Sequence, residues 1–180
     1  MDYKELIEYE LPKSKEDKPK PQYKIYCDMD GCLTDFQERF IHFSGLKPKE
    51  YEKKYGLKAF WELIDVKVGV KFWADMKFMP QGRQLWDYIK EYNPDLLTSP
   101  SRDESSRIGK RVWVKNNLTP KPKVIFAYSK FKQNYSNKDS ILIDDKPSNI
   151  QEWRDKGGIA IECKDGNTAQ VINELKELGF

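Results

Sequence analysis

Residues 25–35 read Ile-Tyr-Cys-Asp-Met-Asp-Gly-Cys-Leu-Thr-Asp, and a short apolar run in this stretch leads into two carboxylates and a glycine. An apolar run that ends at a glycine predicts a buried strand that enters a tight turn. At the end of such a strand, Asp28 and Asp30 can both point into the crevice above a sheet. Carboxylates that close repel each other, so one must be protonated or a cation must lie between them. The pattern indicates a nucleophile beside a general acid/base, a Mg²⁺ site, or both.

A second acidic pair follows another predicted strand. Residues 140–149 read Ser-Ile-Leu-Ile-Asp-Asp-Lys-Pro-Ser-Asn, so this strand ends at Asp144 and Asp145. Between the two acidic pairs, residues 95–100 read Asp-Leu-Leu-Thr-Ser-Pro, which predicts a strand that ends in hydroxyl groups. In an open parallel sheet the carboxyl ends of the strands meet at one crevice, where ligands bind. The three strand ends therefore predict a site for a metal ion and a phosphate group.

The remaining pattern alternates between strands and helices, which predicts an α/β fold with a parallel sheet of about five strands. The predicted strands are Tyr23–Asp28, Asp95–Thr98, Lys123–Ala127, Ile141–Asp144 and Ile159–Glu162. The predicted helices of the core are about Gly82–Tyr92, Asp103–Asn117, Pro147–Asp155 and Thr168–Leu178.

The spacing of these elements also predicts how the chain is divided. The segment 36–79 is helical in character and too long for a simple crossover, so we expect a small helical cap inserted after the first strand. Residues 23–35 and 80–180 then form the core. Residues 1–22 are charged and interrupted by three prolines, which favours a flexible, solvated arm over a partner-binding one.

The composition limits the class of protein. A chain of 180 residues with 13% aromatic residues can build one sizeable core. A net charge of +3 is too small to indicate nucleic-acid binding by itself. The three cysteines show no metal-ligand spacing, so we expect free thiols and a cytoplasmic location. No apolar run approaches the ~18 residues of a membrane span, so no membrane partner is expected.

The motifs resemble those of a known superfamily. Residues 28–35, the strand that ends in Thr98, and the sequence Leu-Ile-Asp-Asp at 142–145 are similar to motifs I, II and IV of the haloacid dehalogenase (HAD) superfamily. The resemblance covers residues 23–178 and implies a Rossmann-like core and a Mg²⁺-dependent phosphatase that passes through an aspartyl-phosphate. Cys32 departs from the family pattern, and we expect it to pack under the turn without altering the chemistry.

The resemblance implies roles for the carboxylates. Asp28 would be the nucleophile, and Asp30 would protonate the leaving oxygen and later activate water. Asp145 would bind Mg²⁺ together with Asp28 and the backbone carbonyl of Asp30, while Asp144 would orient the ligands. A pair of aspartates that merely caps a turn is the alternative.

The phosphate group needs hydrogen-bond donors and a cation. Thr98 is expected to bond a phosphate oxygen, with help from the backbone N–H of Ser99. The resemblance places a lysine before the second acidic pair, where Lys132 fits the spacing slightly better than Lys130. Lys110, after the second strand, is a weaker candidate.

The leaving group would be selected by the cap. Residues 72–82 resemble the 5'(3')-deoxyribonucleotidase branch, so we expect Phe72 and Trp73 to line a nucleobase pocket, unless they simply fill the core of the cap. The favoured substrate is a small phosphate monoester, in particular a (deoxy)nucleoside monophosphate. The alternatives are a polynucleotide 3'-phosphatase, supported by Arg102, Arg107, Lys110 and Arg111, another small phosphate-ester hydrolase, and a non-catalytic binding module.

Overall fold

A computed structural model describes residues 23–180. The expected N-terminal arm, residues 1–22, lies outside the described residues. Within residues 23–180, no helix is long and apolar enough to cross a membrane.

The centre of the fold is a five-stranded parallel sheet. Its strands are β1 (Lys24–Cys27), β2 (Asp95–Thr98), β3 (Val124–Phe126), β4 (Ser140–Asp144) and β5 (Ile159–Glu162). They lie in the order β3-β2-β1-β4-β5. From β1 the chain adds β2 and β3 on one side of the sheet, and it then returns to add β4 and β5 on the other side. The strand order therefore reverses between β1 and β4. This reversal opens the crevice in which α/β proteins bind ligands.

Helices surround the sheet and fill the segment between β1 and β2. That segment, residues 36–79, contains no strand and is called the cap segment below. It holds α1 (Phe36–Ser44), α2 (Pro48–Trp61), a π-helix (Glu62–Val68) and α3 (Val70–Ala74). The remaining helices are α4 (Gly82–Ile89), α5 (Glu104–Asn117), α6 (Ser129–Lys132), α7 (Pro147–Asp155) and α8 (Thr168–Glu177).

The predicted bounds agree closely with the observed ones, except at α4 and at α6, a short helix in a segment that the sequence predicted as a loop. The α-helix was expected to continue to Tyr92 but ends at Ile89, because Lys90–Tyr92 tighten into a 3₁₀ turn before β2. Such tightening is common in the last turn of a helix. The parallel α/β architecture predicted from the sequence is thus confirmed.

Two apolar layers cover the two faces of the sheet. Alternate residues along a strand point to opposite faces, so Leu96 and Leu97 belong to different layers. Side chains of α4, α5, α8 and the cap segment form the larger layer, and side chains of α7, among them Trp153, form the smaller one. All three cysteines are buried free thiols, as the sequence predicted, and Cys32 packs beneath the turn that follows β1.

The cap segment meets the core where α3 crosses α5. The crossing is close because Gly109 of α5 has no side chain: a Cβ there would lie 2.6 Å from Trp73 Cβ and 2.6 Å from the carbonyl oxygen of Val70. This close approach places Trp73 directly beside Lys110. The contact of α3 with α5 thus brings the cap segment to the crevice at the carboxyl ends of the strands.

We expect Gly109→Ala to destabilise the protein, because the added methyl has to push α3 away from α5. Overpacking of this kind costs roughly 1–3 kcal/mol. Chemical denaturation compares the variant with Lys115→Ala, a change at an exposed position of the same helix that should leave the free energy of unfolding nearly unchanged. Equal stability of the two variants would show that the crossing tolerates a side chain.

Candidate active site

The register of the sheet brings the first carboxylates together. Cys27 pairs with Ile143, so the next residues of β1 and β4, Asp28 and Asp144, lie side by side. The N–H of Asp28 donates to the carbonyl of Ile143 at 2.8 Å, which fixes this pairing. Carboxylate oxygens of Asp28, Asp144 and Asp145 all lie within 4.8 Å of one another. The sequence predicted that the two acidic pairs would lie together at one edge of the sheet.

The turn after β1 depends on Gly31. Its φ is +78°, a left-handed conformation that side chains rarely adopt, and a Cβ there would clash with the carboxylate of Asp145. The glycine therefore allows the first acidic turn to pack against the second. Asp30 emerges from this turn, and its Oδ1 accepts a hydrogen bond from the hydroxyl of Thr34 at 2.9 Å.

Lys132 lies in the middle of the carboxylates. Its Nζ is 2.8 Å from Asp28 Oδ2 and 2.7 Å from Asp144 Oδ2, and the side chain is almost fully buried. Burial opposes the positive charge, but the two carboxylates outweigh it and raise the pKa of Lys132 above its usual value. Among the described residues, no further acceptor meets its third N–H, which remains free for a ligand oxygen.

A second buried lysine, Lys110, contacts Asp30 and the end of β2 on the other side of the crevice. Lys110 Nζ donates to Asp30 Oδ2 at 2.7 Å, to Thr98 Oγ1 at 2.7 Å and to the carbonyl of Ser99 at 2.9 Å. These three bonds use all three ammonium protons. The Nζ also lies 5.0 Å from the ring centroid of Trp73, in the range of a cation–π contact.

The two adjacent aspartates of the second pair have different surroundings. Asp144 is fully buried, and its oxygens accept hydrogen bonds from Lys132, the Asn149 amide and the backbone N–H of Lys146. Asp145 receives no hydrogen bond from the described residues and is exposed. Asp144 is therefore already satisfied by the protein, whereas Asp145 is available to a cation.

The surroundings of Asp145 also favour a cation. Partial burial of its carboxyl group and the negative charges of Asp28, Asp144 and Asp30 raise the pKa of Asp145 to about 7. These carboxylate oxygens receive fewer hydrogen bonds than they can accept. Such a cluster fits Mg²⁺, a hard cation that prefers oxygen ligands. Asp28 and Asp145 would hold the ion directly, and Asp144 would support them.

The raised pKa predicts a pH-dependent affinity for Mg²⁺. A proton on Asp145 competes with the cation, so affinity should fall as the pH drops through 7 and should change little above pH 8. With a pKa of about 7, the apparent affinity should weaken roughly tenfold between pH 8 and pH 6. Calorimetric titration with Mg²⁺ at both pH values tests this. Equal affinities would contradict a titrating ligand.

The predicted phosphate-binding residues occupy different places. The Thr98 hydroxyl accepts from Lys110 and keeps its own proton for a ligand, and the Ser99 hydroxyl donates to the carbonyl of Ala127. Lys110 and Lys132 both reach the carboxylates. Lys130, in contrast, is exposed and lies over the ring of Phe131, away from this cluster. The structure thus brings together all the predicted polar residues except Lys130.

The predicted nucleobase pocket is closed in this conformation. Phe72 is fully buried and Trp73 is nearly so, and both rings pack against Phe36. Neither ring offers an open face to solvent, which agrees with the alternative that these residues fill the core of the cap segment. Their assignment as substrate-binding residues remains a prediction.

The structure settles one residue that the sequence left open between bracing the loop and an ordinary polar position, Asn149, and adds one that the sequence did not indicate, Asp65. Asn149 holds both oxygens of Asp144 at 3.0 Å and also bonds the Ser129 hydroxyl. Asp65 of the cap segment accepts a hydrogen bond from Ser101, three residues beyond Thr98. The position of Asn149 in the first turn after the acidic pair was a usable signal. Nothing in the sequence around Asp65 marks it as part of a site.

Comparison with solved structures identifies the fold. A hydrolase from Streptococcus pneumoniae is similar at 13% identity and a TM-score of 0.51, over 88% of this chain and 100% of that chain. A predicted phosphatase from Clostridium acetobutylicum is similar at 14% identity and a TM-score of 0.51, over 87% and 90%. A HAD family enzyme from Bacteroides thetaiotaomicron, solved as a magnesium complex, is similar at 14% identity and a TM-score of 0.52, over 84% and 98%.

No family model matches the chain, and no curated protein sequence matches it either. At identities this low, the structural likeness establishes the fold and nothing finer. The chain therefore has the Rossmann-like fold of HAD proteins, with a parallel sheet and a helical segment after the first strand. This confirms the fold that the sequence motifs implied.

Proposed function

We propose that this protein is a Mg²⁺-dependent phosphomonoesterase that works through an aspartyl-phosphate on Asp28. The observation that carries the proposal is the convergence of Asp28, Asp30, Thr98, Lys110, Lys132 and Asp145 at one crevice, although they come from five separate parts of the chain. A fold that merely binds a ligand has no need for two buried lysines paired with the carboxylates. Perturbed and mutually paired ionisable groups of this kind cluster at catalytic sites.

Asp28 is placed to attack phosphorus. Its Oδ1 accepts the N–H of Met29 at 2.8 Å, and its Oδ2 lies against Lys132. These contacts fix the carboxylate at the end of β1 with little freedom to rotate. A fixed nucleophile forms the phosphoryl–oxygen bond with less loss of entropy, and the alcohol leaves as the ester bond breaks.

Asp30 is placed to move the protons. It lies two residues after the nucleophile, and Thr34 donates to its Oδ1 while Lys110 donates to its Oδ2. The carboxyl would give a proton to the departing ester oxygen and later take one from the water that hydrolyses the aspartyl-phosphate. Both steps need the same group on the leaving-group side of the phosphorus.

Hydrogen-bond donors are available for the phosphate oxygens that do not take part in bond formation or cleavage. The Thr98 hydroxyl proton and the third N–H of Lys132 are uncommitted among the described residues. Lys110 can exchange one of its bonds for a phosphate oxygen. Bound Mg²⁺ would supply additional positive charge to offset the dianion and the carboxylates. These donors make an electrostatic site for a phosphate group.

The substrate class is the finer part of the proposal. The resemblance of residues 72–82 to the deoxyribonucleotidase branch supports a (deoxy)nucleoside monophosphate. The residues at the strand ends would bind the phosphate group and the metal ion. The cap segment is therefore the part of the chain that can select a leaving group. Its rings at Phe72 and Trp73 are buried here, so a base would have to bind after a movement of the cap segment or against other aromatic residues such as the exposed Trp61.

A substrate panel tests the proposal. The purified protein is assayed with p-nitrophenyl phosphate, nucleoside 5'- and 3'-monophosphates, ribose 5-phosphate and a 3'-phosphorylated oligonucleotide, with Mg²⁺ and after EDTA treatment. We expect hydrolysis that requires Mg²⁺ and the highest kcat/KM with a nucleoside monophosphate. Undiminished activity after removal of metal would contradict the Mg²⁺ requirement. Equal kcat/KM for sugar phosphates and nucleotides would remove the nucleotidase assignment and leave the phosphatase.

The contacts around α5 give little support to the oligonucleotide alternative. Lys110 is buried in the crevice, Arg107 lies near Glu104, and Arg111 lies over the ring of Phe126. Three of the four cationic residues that would track a strand are therefore engaged within the protein, while Arg102 is exposed. The oligonucleotide in the panel tests this alternative directly.

A further inference from the structure

Asp65 is a partly buried carboxylate that the proposed chemistry does not use. It belongs to the π-helix Glu62–Val68 of the cap segment, and its Oδ1 lies 2.9 Å from Ser101 Oγ and 3.5 Å from Ser105 Oγ. No lysine or arginine nitrogen among the described residues lies within 4.0 Å of it. An unpaired carboxylate at this depth costs free energy unless its hydrogen bonds are good ones.

The hydrogen-bond donors around Asp65 are committed to it. Ser101 has one hydroxyl proton and two possible acceptors, Asp65 Oδ1 at 2.9 Å and the carbonyl of Asp103 at 3.2 Å. That carbonyl already accepts from Ser106 at 3.0 Å. The shorter contact, to a charged acceptor, is the stronger one, so the Ser101 proton belongs to Asp65.

Ser101 is part of the loop, residues 98–101, that binds phosphate in the proposed function. It lies three residues beyond Thr98, and its own N–H donates to the Ser106 hydroxyl at 3.0 Å. The N–H of Asp103 donates to Ser101 Oγ at 3.2 Å. Ser101 is therefore tied into the start of α5 on one side and to Asp65 on the other. A shift of Ser101 would move Ser99 and Thr98 with it.

Trp73 makes a second connection between the same two regions. Its ring faces Lys110, which holds Thr98 and the Ser99 carbonyl. Burial raises the pKa of the Asp65 carboxyl, and the nearby indole N–H of Trp73 opposes part of that rise. This N–H has no hydrogen-bond partner among the described residues. Asp65 and Trp73 thus hold the turn 98–101 from the cap side.

We infer that Asp65 is a positioning residue that fixes the phosphate-binding turn, residues 98–101, through its hydrogen bond from Ser101. This inference rests on the proposed function, because it concerns the same phosphate site. The carboxylate does not contact phosphate. It holds the turn in the arrangement in which the Thr98 hydroxyl and the Ser99 backbone face the ligand.

The test measures the binding of inorganic phosphate and needs no turnover. Calorimetry with Mg²⁺ present gives the Kd of orthophosphate for the wild type, Asp65→Ala, Ser101→Ala and the double variant. Losing this hydrogen bond should raise the Kd roughly three- to tenfold in each single variant. The double variant should bind no more weakly than the weaker single variant, because both changes remove the same bond.

Two further variants separate positioning from general stability. Asp65→Asn keeps an acceptor oxygen for Ser101 and should restore a Kd within about twofold of wild type. Asp75→Ala removes an exposed aspartate of the cap segment and should leave the Kd unchanged. With p-nitrophenyl phosphate, Asp65→Ala should raise KM more than it lowers kcat.

The outcomes are distinct. If wild type hydrolyses p-nitrophenyl phosphate and binds orthophosphate, but Asp65→Ala changes only the melting temperature, Asp65 is structural and the inference is overturned. Additive losses in the double variant, or failure of Asp65→Asn to restore binding, would overturn it as well. If wild type neither binds orthophosphate nor hydrolyses the ester, the proposed function fails together with the inference.

Discussion

Replacement of Asp28 by Asn is expected to abolish turnover while the fold stays intact. The amide has the shape of the carboxylate but cannot form the aspartyl-phosphate. Removing a covalent catalyst of this kind lowers kcat by roughly four decades or more. The substitution also removes one negative charge from a crowded cluster of carboxylates, so stability should not suffer greatly from the lost ion pair with Lys132.

The measurement is hydrolysis of p-nitrophenyl phosphate at saturating Mg²⁺, together with a thermal denaturation curve. Asp139→Asn, a change at an exposed aspartate whose carboxylate pairs with Lys138, serves as the control and should keep wild-type activity. Rapid acid quenching with labelled substrate should trap phosphate on the wild-type protein and none on Asp28→Asn. Near-normal turnover by Asp28→Asn would exclude the aspartyl-phosphate mechanism.

The sequence was sufficient for the sheet and for the acidic half of the site, for a physical reason. Parallel strands place their carboxyl ends at one edge, so residues that end strands meet in space whatever their separation in the chain. Asp28, Thr98 and Asp144 all end strands or directly follow one, and their proximity follows from the register alone. The local patterns were strong because buried strands and glycine turns constrain the backbone.

The lysines were harder to place, because a long flexible side chain reaches a site from many positions. Lys130 and Lys132 lie two residues apart, yet one lies on the surface and the other is buried among carboxylates. The short helix α6 turns its residues by about 100° each, so the two side chains diverge by roughly 200°. Lys110 reaches Asp30 and Thr98 from α5, and no local pattern in the sequence shows which face of that helix meets the crevice.

Contacts between the cap segment and the core could not be predicted at all. The bond between Asp65 and Ser101 joins residues 36 positions apart, on an irregular helix and in a loop. Neither place has a periodic pattern from which a direction can be inferred. The burial of Phe72 and Trp73 likewise depends on how α1, α2 and α3 pack together. Such tertiary contacts decide which aromatic residues can face a ligand.

The largest effect on stability is expected from Lys132→Met. The methionine fills a similar volume but leaves Asp28 and Asp144 facing each other in a buried place without a cation. Removing one member of a buried ion pair typically costs about 3–5 kcal/mol, because the remaining charge stays unpaired. The effect should be measured in EDTA, since Mg²⁺ bound at the same carboxylates would offset part of the lost charge.

Lys130→Met is a matched control for this experiment, because it removes the same charge two residues away at an exposed position. Its free energy of unfolding should stay within about 0.5 kcal/mol of wild type, as is usual for surface substitutions. Because Lys132 also offers its free N–H to the phosphate, its loss should reduce kcat/KM even when Mg²⁺ restores stability. Equal unfolding midpoints for the two variants would mean that Lys132 does not hold the carboxylates together. A stable but inactive Lys132→Met would instead place its role in the chemistry alone.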